Sequence, residues 1–212
     1  MKLLFATAVV LLFAASPALA SPILLAFEGP SSYASIAEYY NGGTDSDGVA
    51  GPNLGVSFGL DDLGLQNDIL GPYFSNTPSP LGVMVPVGPD TALNFAAGFM
   101  NLSFYYSASD DVLGGVQVWS GLNGAGTLLA SFDLVKNSEA DGIDRFGQWD
   151  LVSSGYLGNA HSATFTNMVG LGGIDNIGIA PAPEPATWYL LVVGLAGLLP
   201  LRRQFSRSRE SL

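Results

Sequence analysis

The pattern closest to known catalytic chemistry is G-x-S-x-G at residues 55–59, with the single histidine, His161, far downstream. In hydrolases this serine lies on a sharp turn between a strand and a helix, and a histidine activates it. Here the apolar residues around Ser57 alternate as they do in a strand. We therefore interpret Ser57 as an outward-facing strand residue and His161 as a turn residue, and we expect a protein that is not an enzyme.

Carboxylates are the second kind of residue with catalytic potential. Glycoside hydrolysis requires two carboxyl groups at a defined separation across a cleft, which spacing along a chain does not specify. Acids in a context rich in glycine and asparagine are typical of solvated turns. A glycan-active hydrolase remains the alternative interpretation of these acids: Asp61, Asp62, Asp110, Asp111, Asp141 and Asp144.

The elements that would position these groups are short strands. Segments of period-two alternation rich in Val, Ile, Phe and Tyr recur between turn residues over residues 21–180. This pattern predicts an all-β, antiparallel β-sandwich of about eight strands. The best-defined element is a hairpin whose turn contains Asn123 and Gly124, a pair that adopts positive φ at low cost.

Charge and cysteine content limit the function classes. Residues 21–180 contain 16 acidic residues against Lys136 and Arg145, a net charge of −14. Such a surface repels phosphate backbones and excludes nucleic acid as a partner, while it suits cations or uncharged ligands such as neutral sugars. The absence of cysteine excludes disulfides and thiolate zinc sites, so a hydrophobic core must hold the domain together.

Residues 61–90 contain several prolines and little alternation, and this favours a long connection. Long ordered connections often carry binding contacts. Tyr73 and Phe74 are therefore candidate ligand-binding residues, with a merely variable loop as the alternative.

The first twenty residues have the three parts of a secretory signal peptide. Lys2 precedes an apolar run at residues 3–14, and Ala18 and Ala20 form a small-x-small cleavage site. We expect residues 1–20 to direct export through the Sec machinery and to be removed.

The last part of the chain resembles an export address. Pro183-Glu184-Pro185 precedes an apolar stretch at 187–201, and Arg202 and Arg203 follow it. Fifteen helical residues span about 22 Å, less than the roughly 30 Å of a bilayer core. Basic residues after the apolar stretch orient its C-terminus toward the cytoplasm. The sequence predicts a single apolar anchor helix.

This order of motif, apolar stretch and basic tail closely resembles the PEP-CTERM sorting signal of Gram-negative bacteria, here residues 181–212. The resemblance implies an exosortase as processing partner and a transient anchor in the inner membrane. It further implies a final location at the cell surface or in an extracellular matrix, associated with exopolysaccharide or biofilm.

The middle of the chain is similar to a domain that recurs in such proteins, in "YYNGGTDSDGVAGPNLGVSF", "VWSGLNGAGTLLASFDL" and "GGIDNIGIAPAPEPAT". The resemblance implies a jelly-roll-type sandwich similar in shape to carbohydrate-binding modules. It implies a non-catalytic matrix protein with weak binding of extracellular polysaccharide. A hydrolase and a purely structural matrix component without a ligand are the alternatives.

Jelly-roll carbohydrate modules often hold a structural calcium ion, so the resemblance implies one here. Glu28 and Asp175 come from the two ends of the domain, and Asp45 and Asp47 lie in a glycine-rich loop. Calcium takes six to eight oxygen ligands, including carboxylates. The alternative is that these acids are ordinary turn residues that bond neighbouring backbone amides.

Overall fold

A computed structural model describes residues 21–67, 73–142, 144–155 and 157–182. These belong to one unit, Ala20–Ala182. The predicted signal peptide lies outside the described residues, as do the Pro183-Glu184-Pro185 motif and the predicted anchor helix. Among the described residues, none lies in a helix long and apolar enough to cross a lipid bilayer.

The described chain is all-β, with every strand pair antiparallel, as the alternation predicts. It has ten strands, more than the eight expected, and one short 3₁₀ turn at Thr166–Met168. The strands are β1 (Ile23–Leu25), β2 (Val56–Phe58), β3 (Asp62–Gln66), β4 (Gly82–Pro86), β5 (Ala92–Ala108), β6 (Val112–Trp119), β7 (Leu128–Leu134), β8 (Asp150–Ser153), β9 (Ala160–Thr164) and β10 (Gly172–Pro181).

The 17-residue strand β5 divides the sheet into two layers. Its first residues pair with β2 and β9, and β9 continues through β6 to β7. Its later residues pair with β8 on one side and β10 on the other, and β10 continues to β1 and to the β3–β4 pair. The break in register between Asn94 and Phe99 contains Gly98, whose φ is +82°.

One hydrophobic core lies between the two layers. Phe104 of β5 and Phe132 of β7 meet edge to face with their ring centroids 6.1 Å apart, so the later part of β5 faces the layer that contains β7. Leu93 from the first part of β5 and Ile174 from β10 belong to the same buried cluster. The arrangement is a β-sandwich, with side chains from both layers filling a shared interior.

The predicted β6–β7 hairpin is confirmed. Asn123 and Gly124 both have positive φ, 54° and 69°, as the turn chemistry requires. The long connection expected at 61–90 is wrong, because β3 and β4 pair within it in the register Leu63↔Val85 and Leu65↔Val83. The alternation is hidden since β4 is apolar on both faces: Met84 enters the main core, while Val83 packs on the opposite side.

A buried carboxylate connects the turn after β2 to the start of β5. Asp62 is fully buried, and its Oδ2 accepts the amides of Ala92 (2.9 Å) and Gly59 (3.2 Å). Its Oδ1 accepts the hydroxyl of Thr91. Burial raises the pKa of Asp62 to about 7 despite these hydrogen bonds, so the folded state favours the protonated acid.

This raised pKa predicts a specific dependence of stability on pH. In the unfolded chain the Asp62 pKa is about 3.9. The folded protein therefore binds the extra proton between about pH 4 and pH 7, so the stability from this group is complete below pH 4 and is lost as pH rises through 7. The free energy of unfolding should fall by at most about 1.4 kcal/mol per pH unit in this window.

Denaturant unfolding of the wild type and of Asp62→Asn across this pH range measures the effect. The asparagine retains an acceptor for the two amides and does not titrate, so its stability should show a flatter pH profile. Asp62→Ala is the control, because it should destabilise at every pH by leaving buried amides unsatisfied. Parallel pH profiles for the wild type and Asp62→Asn would contradict the raised pKa.

Candidate functional site

The G-x-S-x-G pattern does not form a nucleophile elbow. Ser57 lies in the middle of β2, where it pairs with Asn94, and the chain after β2 turns directly into strand β3. The elbow requires a helix at that point. His161 lies in β9 instead of the predicted turn, with its Nε2 at 3.0 Å from the side-chain nitrogen Nδ2 of Asn159.

Several of the paired acids brace turns. Asp61 accepts the amide of Asp90 at 2.9 Å, and Asp90 in return accepts the amide of Leu60 at 3.1 Å. Asp111 accepts the amide of Lys136 at 2.8 Å. These carboxylates are used within the fold, whereas Asp141 and Asp144 line a cleft described below.

Two of the predicted calcium ligands, Glu28 and Asp175, converge on one backbone segment. Glu28 Oε1 accepts the amides of Leu81 (3.0 Å) and Gly82 (2.9 Å), while Asp175 Oδ2 accepts the amide of Ser79 (2.7 Å). Burial raises the pKa of Asp175, and the Glu28 charge adds to this. Partial burial also acts to raise the pKa of Glu28, but the amides of Gly82 and Leu81 outweigh it and the net pKa is lowered.

The other two predicted ligands lie in the glycine-rich loop. Asp45 is almost fully buried, and its carboxylate accepts the amides of Asp47, Val49 and Ser31 at 2.8–3.0 Å. Asp47 is exposed. Across the described ranges, no three Asp, Glu or His side chains lie together as a metal-binding group. The carboxylates of Glu28, Asp175 and Asp45 bond backbone amides, the alternative left open by the sequence, and calcium binding at these residues stays a prediction.

Thermal unfolding in EDTA and in about 1 mM calcium distinguishes a calcium site from carboxylates that bond only backbone amides. If hydrogen bonds from backbone amides are the only partners of these carboxylates, the unfolding midpoint should be the same in both conditions. Asp175→Asn should lower the midpoint equally in both. A midpoint that rises with calcium, and no longer does so in Glu28→Ala or Asp175→Ala, would instead locate a metal site.

The outer face of the β3–β4 pair carries a second, smaller apolar cluster. Phe74 is buried there, with ring centroids 5.0 Å from Phe146 and 5.7 Å from Trp149. The indole nitrogen of Trp149 donates to the carbonyl of Ser75 at 3.0 Å. Gly173 of β10 leaves space for the Phe74 ring, since a Cβ at this position would lie 2.7 Å from the ring. Phe74 is predicted as a ligand contact, but its side chain is buried and packs within this cluster.

An open groove adjoins this cluster, and we call it the aromatic groove. Its volume is about 290 Å³ and its walls are mainly apolar. Tyr73 and Tyr33 are 49% and 61% exposed, and their rings meet edge to face with centroids 6.4 Å apart. The guanidinium of Arg145 lies over the Tyr73 ring, 5.4 Å from its centroid. The lining residues are Tyr33, Leu63, Leu65, Tyr73, Phe74, Val85, Val87, Phe146, Gly170 and Gly172.

A second depression, which we call the polar cleft, has a volume of about 520 Å³. Residues 73–76 and 144–147 contribute to both depressions, since Tyr73 and Phe146 line the groove while Asn76 and Gly147 line the cleft. Asn76 donates to the carbonyl of Gly147 at 3.3 Å and joins these two segments. The cleft is lined by Asn76, Lys136, Asn137, Ser138, Glu139, Asp141, Asp144, Gly147 and Gln148.

Tyr73 is among the ligand-binding candidates that the sequence predicts, and Tyr33 is not. Tyr33 occupies an unusual backbone conformation with φ of 68°, outside any strand, and its ring contacts Tyr73, which lies 40 residues downstream. No periodic pattern marks Tyr33. Tyr40 and Tyr106, by contrast, are buried in the main core.

No protein-family model matches the chain, and no curated protein matches it. A solved structure, the K2 cleaved adhesin domain of Lys-gingipain, is similar with 14% identity and a TM-score of 0.44, over 76% of this chain and 99% of that one.

Proposed function

We propose that residues 21–180 form a non-catalytic, jelly-roll-type module that binds extracellular polysaccharide weakly. The observation that carries the proposal is the pair of exposed tyrosines, Tyr33 and Tyr73, at an apolar groove beside a polar cleft. Ligand sites typically combine apolar and aromatic walls with a few polar groups that fix orientation. Sugar rings present apolar C–H faces to aromatic side chains and hydroxyl groups to polar ones.

The proposal also includes export of the protein from the cytoplasm. The N-terminal pattern supports Sec-dependent export and removal of residues 1–20. The order of Pro183-Glu184-Pro185, apolar stretch and basic tail supports transient anchoring in the inner membrane of a Gram-negative bacterium and processing by an exosortase. The processed protein then belongs to the cell surface or matrix, with exopolysaccharide as its partner.

Removing either tyrosine side chain tests the binding function. Tyr33→Ala and Tyr73→Ala should each weaken binding to the host's own exopolysaccharide about five- to tenfold, because each loses a stacking surface worth about 1 kcal/mol or more. Affinity electrophoresis of the purified full chain in polysaccharide-containing gels measures this. Leu113→Ala, at a residue of β6 that is 78% exposed, is the matched control and should bind as the wild type does.

The other outcomes identify the alternatives. A wild-type protein that binds no polysaccharide would indicate a structural matrix component without a ligand. Release of reducing sugar ends from the polysaccharide would indicate a hydrolase. Equal weakening by Leu113→Ala would show that the groove is not the binding surface.

Alanine substitution of Pro183, Glu184 and Pro185 tests the sorting signal. We expect the altered protein to stay uncleaved in the membrane fraction, because the processing enzyme loses its recognition motif while the apolar stretch is unchanged. Immunoblots of membrane and medium fractions from a host that contains an exosortase measure this. Glu210→Ala, in the basic tail, should be processed normally, and normal release of the triple variant would refute the sorting function.

A further inference from the structure

The charge of the polar cleft points to a more specific ligand, and this step rests on the proposed function. Three carboxylates, Glu139, Asp141 and Asp144, line the cleft, with Lys136 as the cation among its lining residues. The Lys136 ammonium already lies 3.0 Å from Glu139 Oε1. The cleft therefore has a net negative charge, within a domain whose own net charge is −14.

The amides of the cleft are partly committed to the fold. Asn137 donates to the Tyr106 carbonyl and to Asp150, and it accepts the amide of Ala108. Asn76 donates to Gly147. Ionised carboxylates only accept hydrogen bonds, so Glu139, Asp141 and Asp144 favour a ligand that brings donors.

A protonated amine satisfies this requirement, since it brings three donors and a positive charge to each carboxylate it meets. The aromatic groove, across the shared segments 73–76 and 144–147, contains Tyr33, whose side chain is largely exposed and suits contact with an uncharged ring surface. The Arg145 guanidinium already lies over Tyr73, so a second cation is better placed in the cleft than in the groove. Stacking surface and negative charge thus lie side by side.

We infer that the groove and the cleft together bind a polysaccharide that carries protonated amino groups, with a sugar ring in the groove and an ammonium group in the cleft. A polyuronate is disfavoured, because its carboxylates would meet Glu139, Asp141 and Asp144.

Oligomers of β-1,4-linked glucosamine, compared with the same oligomers fully N-acetylated, test the inference on the purified full chain at mildly acidic pH. Calorimetry or fluorescence titration should show the free amine form bound about tenfold more tightly. The cleft variant Asp141→Asn/Asp144→Asn should remove most of this preference and leave binding of the N-acetylated form unchanged. Both aspartates are exposed, so the variant removes charge without disturbing the core.

Glu38→Gln/Asp47→Asn removes the same charge from two exposed positions, one before and one within the glycine-rich loop, and should retain the preference. An equal loss in this control would show that overall charge, not the cleft, attracts the amine, and it would overturn the inference. Equal binding of the two oligomers, or tighter binding of a polyuronate, would also overturn it while leaving the proposed glycan binding intact. If neither these oligomers nor the host's own exopolysaccharide binds, both the inference and the proposed function are wrong.

Discussion

The sandwich depends on one strand serving two layers. β5 pairs with β2 and β9 at its start and with β8 and β10 along its later part, so it must change direction between them. Gly98 makes the change possible: its φ of +82° is costly for residues with a Cβ, and a Cβ there would lie 2.2 Å from Asn159 Oδ1. The later part of β5 then places Phe104 in the shared core, edge to face with Phe132 of β7.

The candidate site depends on the layer that contains β3 and β4, because this strand pair is apolar on both faces. The inner face of β4 contributes Met84 to the main core, and the outer face gives Phe74 a surface on which to pack. Phe74 then fixes the loop that presents Tyr73, with Trp149 holding the carbonyl of the next residue, Ser75. The position of Tyr73 therefore results from packing on a strand pair, and a flexible connection would not supply it.

The sequence predicts local structure better than it predicts the site. The β6–β7 hairpin is predictable because Asn123-Gly124 specifies a turn and the flanking alternation specifies strands. β3 and β4 escape detection because Gly64 interrupts one pattern and β4 is buried on both sides. The acids show a further limit of prediction from sequence. Asp62 and Asp141 are the same residue type, yet Asp62 braces a buried turn whereas Asp141 lines an open cleft. Long-range packing makes that difference, and no local spacing encodes it.

The way the chain enters and leaves the sandwich has a mechanical consequence. Ile23 of β1 pairs with Ile179 of β10, so the first described strand begins where the last one ends. Ala182 donates its amide to Gly98, which places the exit of the chain beside the bend of β5. Tension between Ile23 and Ala182 would break the hydrogen bonds of the short β1–β10 pairing one after another. Tension between Ala182 and a ligand held at Tyr73 would instead load the long β10–β5 ladder along its length, where many bonds resist together. The domain should therefore resist pulling better in the second direction than in the first.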